Sequence, residues 1–144
     1  MKSVNQILKN KGTDVYSISP EATVFEALQL MAEKEVGALM VINNGKIEGI
    51  ISERDYARNV ALKGRSSKDA PVKEIMSSGV MYVELSNSAE ECMALMINKK
   101  IRHLPVLQNK NLAGIISIGD VVKAVIDEKE ILITELENYI TGRS

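Results

Sequence analysis

The stretch over residues 49–55 reads GIISERD and the stretch over residues 114–120 reads GIISIGD, so a glycine, two isoleucines, a serine and an aspartate recur at one spacing. Sliding the chain against itself by 65 positions pairs residues 15–60 with 80–125 without a gap, and 14 of those 46 pairs are identical. Unrelated segments of ordinary composition would give about three, so the chain holds two copies of one supersecondary unit. Units of about 60 residues bury little surface alone, and repeated units ordinarily bury their apolar faces against each other. A shared core is therefore expected.

Each copy has the same internal order. The openings VYSIS and VMYVE are β-rich, and Thr23 with Glu26, like Ser88 with Glu91, has the spacing of a capping box at a helix start. Helical spacing follows at Val24, Leu28, Met31 and Val36, and at Ala89, Met93, Met96 and Ile97. Two short apolar runs joined by NNGK or QNKN then read as a β-hairpin, and a last helix starts near Glu53 or Ile118. The unit is β-α-β-β-α, repeated, in an α+β chain. VNQIL near the start and VKEIM after Pro71 echo each other as short helical lead-ins. The repeat divides the chain into residues 1–66 (first copy with its lead-in), 67–126 (second copy) and 127–144 (a helical extension). With no glycine or proline until Gly142, the last helix should run from about Gly119 to Ile140.

Composition narrows the function. A chain that is 45% hydrophobic and 26% charged lies in the globular range. The 18 basic and 19 acidic residues are scattered and leave a net charge of -1, which gives no footprint for nucleic acid or an anionic membrane. A single phenylalanine and no tryptophan offer little to stack on RNA bases. The start lacks a signal-peptide core, and no apolar run reaches membrane-spanning length, so a cytoplasmic protein is expected. One cysteine and one histidine exclude an intramolecular disulfide and a His/Cys zinc cluster. A Cys92–His103 catalytic pair is formally open, but Cys92 lies on an apolar helix pattern where a small buried side chain is the simpler role. No metal site and no catalytic residue is assigned.

Ser52 and Ser117 stand where a strand ends and a helix begins, each with an aspartate three residues on, Asp55 and Asp120. Helix capping alone would explain both pairs. The same junction also displays free amides and a carboxylate that can accept two neighbouring hydroxyls, as a ribose diol offers. No G-x-G-x-x-G fingerprint accompanies it.

The two GIISxxD motifs, IRHLPV and the β-α-β-β-α order resemble the cystathionine-β-synthase (CBS) domains, which occur in tandem as a Bateman module. ISERDYAR, KGRSSK, RHLPV and ISIGDVVKAV look like the small stand-alone CBS-pair proteins. The resemblance implies two halves related by a pseudo-twofold axis, with clefts that bind adenosine-containing ligands such as AMP, ADP, ATP, NAD or S-adenosylmethionine. Carried over, it gives the ribose hydroxyls to Asp120 and Asp55 and places Ser117 and Ser52 beside them. Arg102 and His103, just ahead of LPV, stand where phosphate contacts are often found, and Gly37 and Ala38 match them in the first copy. A guanidinium can grip phosphate bidentately and a glycine cannot. The expected better cleft therefore has Asp120, Ser117, Arg102 and His103, closed by the segment between Ile18 and Thr23. The other has Asp55 and Ser52, with Arg54 and Arg58 near a phosphate. The resemblance implies a regulatory role without enzymatic activity, a homodimer, and an effector protein that reads the ligand. The apolar stripe Leu132, Leu136, Tyr139 and Ile140 suits self-association or a fold-back. A dimeric scaffold with empty clefts is the alternative function.

Overall fold

The computed structural model describes residues 2–141, apart from the side chains of residues 131–133. Helix α1 (Val4–Lys11) comes first, and its cap Ser3 exchanges hydrogen bonds with Gln6 in a full capping box. The first repeat follows as β1 (Ser17–Ile18), α2 (Val24–Lys34), β2 (Ala38–Asn43), β3 (Lys46–Ser52) and α3 (Glu53–Tyr56), which continues as a π-helical turn over Ala57–Ala61. A one-turn helix α4 (Val72–Ile75) leads into β4 (Val83–Glu84), α5 (Ala89–Lys99), β5 (His103–Gln108), β6 (Asn111–Ser117) and α6 (Ile118–Thr141). The class is α+β, with the repeated order read from the sequence.

Each repeat forms a three-stranded sheet, β1-β2-β3 or β4-β5-β6, with the first pair parallel and the second antiparallel. Both hairpins turn through two residues at positive φ, Asn44 and Gly45 in one, Asn109 and Lys110 in the other, the conformation that matches strand twist. Matched bulges follow Val41 and Val106. Thr23 caps α2 by accepting the Glu26 amide, whereas Ser88 and Glu91 complete the reciprocal box on α5. The buried stripes are Val24, Ala27 and Met31 on α2 and Ala89, Cys92 and Met96 on α5. Ile97, expected on the core face, is 63% exposed, because the α5 stripe turns through Cys92 and Met96 and leaves Ile97 on the other side. Helix α6 has 24 residues and passes without a break through the boundary expected at residue 127. Gly142, read as its stop, lies outside the described residues.

The two compact units do not follow the order of the repeats. One consists of Met1–Asp14 with Met81–Ser144 and the other of Val15–Val80. The lead-in helix of each copy belongs to the other copy's unit. The α1 amides of Val4 and Asn5 donate to the Asn87 and Leu85 carbonyls, and Ala89 donates to Lys2. In the same way Val24 donates to Ala70, Val72 to Ala22 and Lys73 to Pro20. The buried side chains form one cluster in each unit. Val4, Ile7 and Leu8 join Val83, Cys92, Met96, Leu104, Val106 and Ile116. Val72 and Ile75 join Val24, Met31, Leu39, Val41 and Ile51. A lead-in that completes each sheet supplies the apolar cover that one copy lacks.

This packing accounts for the glycine of the repeated motif. A Cβ on Gly114 would lie 2.9 Å from a Leu8 methyl of α1, and one on Gly49 would lie 2.8 Å from Met76 Sδ and 2.7 Å from the Ser77 carbonyl oxygen. Ser77 is also paired with Ile50 through two backbone hydrogen bonds, so that carbonyl cannot withdraw without breaking a bridge. The Leu8 methyl can swing. Gly49→Ala should therefore cost about 2–3 kcal/mol and Gly114→Ala about 1 kcal/mol, measured by urea denaturation. Equal losses would contradict the assigned difference between a backbone and a side-chain neighbour.

Candidate functional site

The end of β6 and the start of α6 build the more elaborate of the two Ser-x-x-Asp junctions. Ser117 ends the strand in an extended sheet, so its side chain can turn back over the first free amides of the helix. Its hydroxyl accepts the Asp120 amide at 3.2 Å, and its own amide donates to Asp120 Oδ2 at 2.7 Å. His103 is the register partner of Ser117 across the hairpin, and the Arg102 carbonyl accepts the Ile118 amide at 2.8 Å. Sheet pairing thus brings Arg102, His103, Ser117 and Asp120 together in one unit. Arg102 is exposed and His103 is half-buried.

The residue missed by sequence reasoning is Lys11. It ends α1, where a cation suits the helix C-terminus, and its Nζ donates to Asp120 Oδ2 and to the Ile115 carbonyl, each at 2.7 Å. The two side chains are 33% and 24% exposed, so the pair is screened less than a surface bridge. Burial alone would raise the Asp120 pKa. The Lys11 ammonium and the hydrogen bonds from Ser117 outweigh it and hold the carboxyl below its ordinary value. Asp120 is therefore ionised at neutral pH. Burial first, then Lys11, pushes His103 down to about 4, with Arg102 adding to Lys11 and Asp120 opposing them. His103 is a neutral imidazole here, a hydrogen-bonding group rather than a charge. The signal for Lys11 lay in the lead-in echo, but only knowledge of which sheet α1 covers connects it to Asp120.

An open cavity of about 260 Å³ adjoins this junction between α1 and α6, lined by Lys2, Ile7, Asn10, Lys11, Asp120, Lys123, Ala124 and Asp127. Lys2 pairs with Asp127 at 3.6 Å. Asp120 therefore looks onto a wall in which ammonium groups outnumber carboxylates.

The first repeat repeats the capping but not the cation. Ser52 donates its amide at 2.9 Å and its hydroxyl at 3.1 Å to Asp55 Oδ2, and the Asp55 amide returns to Ser52 Oγ at 3.3 Å. Ala38 stands opposite Ser52 and the Gly37 carbonyl accepts the Glu53 amide. In the register that pairs Val4 with Val72, Lys11 falls on Gly79. Arg54, half-buried, is the second residue of α3, and Arg58 is exposed on the π-helical turn. Ile18 lies in β1 beside Val41, and Thr23 is the α2 cap, both in the unit of Asp55. Cys92 is fully buried in the α5 core, and burial, then Glu91, pushes its thiol up to about 11, which leaves it inert as a nucleophile at neutral pH. Among the described residues, no group of three or more His, Cys, Asp or Glu side chains is placed to hold a metal ion. No described helix is long and apolar enough to cross a membrane.

Comparisons with known proteins agree with this architecture. The family described as "CBS domain" matches twice, over residues 7–62 and 72–127. The mitochondrial CBS domain-containing protein CBSX3 of Arabidopsis thaliana is 35% identical over 149 residues, an alignment covering 97% of this chain and 72% of that protein. A solved protein with CBS domains from Burkholderia ambifaria is 51% identical, covers 88% of this chain and 95% of its own, and superposes with a TM-score of 0.84. The CBS domain pair of protein MJ0100, solved in complex with methylthioadenosine and S-adenosyl-L-methionine, shares the fold at a TM-score of 0.76 and 19% identity, over 89% of this chain and 98% of that one. With two matched copies, each built as a three-stranded sheet and completed by the lead-in helix of the other, the chain belongs to the CBS-domain family and is a tandem CBS pair.

Proposed function

We propose that this chain is a regulatory module that binds an adenosine-containing ligand and passes its occupancy to an effector protein. The observation that carries the reading is the Asp120 carboxylate, ionised at a strand-to-helix junction beside Arg102 and His103. The hydrogen bonds to Asp120 fall on Oδ2, which leaves Oδ1 to accept a ribose hydroxyl. Ser117 sits next to the ribose, Arg102 meets phosphate, and neutral His103 supplies a hydrogen bond. Asp55, Ser52 and Arg54 form the weaker counterpart. The ligand is AMP, ADP, ATP or NAD, and the MJ0100 pair, with its two adenosine-derived ligands, supports that chemical class. No reaction is assigned, because the one cysteine is buried and no described side chain is poised as a nucleophile beside a base. A ligand then acts through its differential affinity for two arrangements of the protein. The cytoplasm is the compartment we assign.

Helix α6 favours self-association. Ile126 is 46% exposed, Leu136 53%, Tyr139 85% and Ile140 81%, an apolar stripe of the kind that a second copy covers. Leu132, read as part of the stripe, lies outside the described side chains. The occupant we propose is a second copy, in a homodimer.

Calorimetric titration with AMP, ADP, ATP, NAD and S-adenosylmethionine tests the nucleotide reading. Saturable binding of at least one phosphorylated ligand is expected, weakened about tenfold or more in Asp120→Ala and less in Asp55→Ala, since losing one charge-assisted acceptor costs about 1.5–3 kcal/mol. If no adenosine ligand binds, the clefts are empty and the scaffold function replaces this one. For the dimer, sedimentation equilibrium of Leu136→Lys/Tyr139→Lys should give the monomer mass; an unchanged dimer would place the interface elsewhere. The pH dependence of stability follows from His103 and Asp120. Both fold with lowered pKa values, so both contributions are present above the unfolded values and are lost on acidification. For His103 the loss begins near the unfolded value of 6.5 and is complete near 4, worth about 3 kcal/mol. Urea midpoints measured from pH 8 to 4 should stay level to about pH 6.5 and then fall, and the fall should shrink in His103→Gln.

A further inference from the structure

Lys11 does more at this site than complete a capping arrangement. Its ammonium touches two oxygens, Asp120 Oδ2 and the Ile115 carbonyl, each at 2.7 Å. It therefore lies on the carboxylate to which the proposed function assigns the ribose, on a flexible four-carbon stem. The adjoining cavity adds Lys123, exposed on α6, and Lys2, already committed to Asp127. Of the five ionisable side chains around that cavity, Lys2, Lys11 and Lys123 oppose Asp120 and Asp127, so the wall has one positive charge in excess. The junction of the first repeat has Gly79 at the position of Lys11.

These facts bear on which ligand is accepted. A ribose hydroxyl accepted by Asp120 Oδ1 leaves the Lys11 ammonium on Oδ2, beside the ribose. An uncharged ligand covers this wall without meeting its excess positive charge, where the Lys11 side chain is already two-thirds covered. A cationic ligand adds repulsion. A phosphate meets the excess with acceptor oxygens. We propose that Lys11, brought across from the lead-in of the other repeat, is the residue that makes the Asp120 site select phosphorylated adenosine ligands over uncharged or cationic ones. The selection rests on the nucleotide reading above and deepens it. It also separates this chain from the MJ0100 pair, whose two ligands are a thioether and a sulfonium without phosphate.

The test is titration of the full chain with AMP and with adenosine, for wild type, Lys11→Met and Lys11→Arg. The wild type should bind AMP about tenfold or more tightly than adenosine, as one charge-assisted contact allows. Lys11→Met should lower that ratio severalfold by weakening AMP, with Arg102 keeping the remainder, while Lys11→Arg should keep most of it. Because Lys11 also ties α1 to β6, thermal melts accompany each variant. Lys11→Gln, which can still donate to the Ile115 carbonyl, carries the same expectation if Lys11→Met does not fold. A role confined to holding α1 in place would weaken both ligands equally and leave the ratio unchanged. An unchanged ratio in a folded neutral variant overturns the assignment to Lys11 and leaves the nucleotide reading intact. If the wild type binds neither ligand, the nucleotide reading fails and the selectivity with it.

Discussion

The close approach of a lead-in helix to a strand glycine is the constraint on which the rest of this molecule depends. Helix α1 can reach β6 because Gly114 leaves room for Leu8, and it is held there by backbone bonds to the segment ahead of α5. That seat buries Val4, Ile7 and Leu8 among the second repeat's sheet and helices. It also delivers Lys11, one helical turn beyond Leu8, to Asp120. Stability and the electrostatics of the candidate site thus follow from one packing event. The first repeat makes the same approach with Met76 over Gly49, but its lead-in is a single turn and brings Gly79 rather than a cation.

This arrangement explains how two copies of one unit come to differ in chemistry while sharing a fold. Both junctions have the serine cap, the aspartate and the strand partner, because strand pairing and helix capping require those positions. What distinguishes them comes from outside the motif. Arg102 and His103 replace Gly37 and Ala38, and Lys11 is added by α1. Charges brought to a common scaffold from outside the repeated motif give two junctions of unequal chemistry.

The repeated motif places several structural tasks on neighbouring residues. Gly114 admits α1, Ile116 is wholly buried, and Ser117 caps α6. Asp120 belongs to that cap, yet it also pairs with a cation and keeps an oxygen open, which capping does not require. A carboxylate at a helix start is stabilised as an anion by the free amides and the helix dipole, so the residue that caps the helix well is also one prepared to accept hydroxyls.

The repeat, the strand and helix order, the hairpin turns and the Ser-x-x-Asp junctions were all legible in the sequence, because alternation, capping and turn chemistry act between near neighbours. The grouping of Arg102, His103, Ser117 and Asp120 came from the family resemblance alone, and the hairpin register that sets His103 opposite Ser117 supplies its physical basis. The exchange of lead-in helices was not legible. Two copies of one unit present nearly the same apolar surface, and periodicity says that α1 has a stripe to bury without saying on which copy. The burial of Cys92 and Met96 was legible in the helical spacing, but the exposure of Ile97 depended on the angle at which α5 meets its sheet. Lys11 was hidden for the same reason: its partner Asp120 lies 109 positions away, and only tertiary packing brings them within bonding distance. Local physics determined the parts and their capping; the tertiary structure decided which parts share a core and which charge sits on the aspartate.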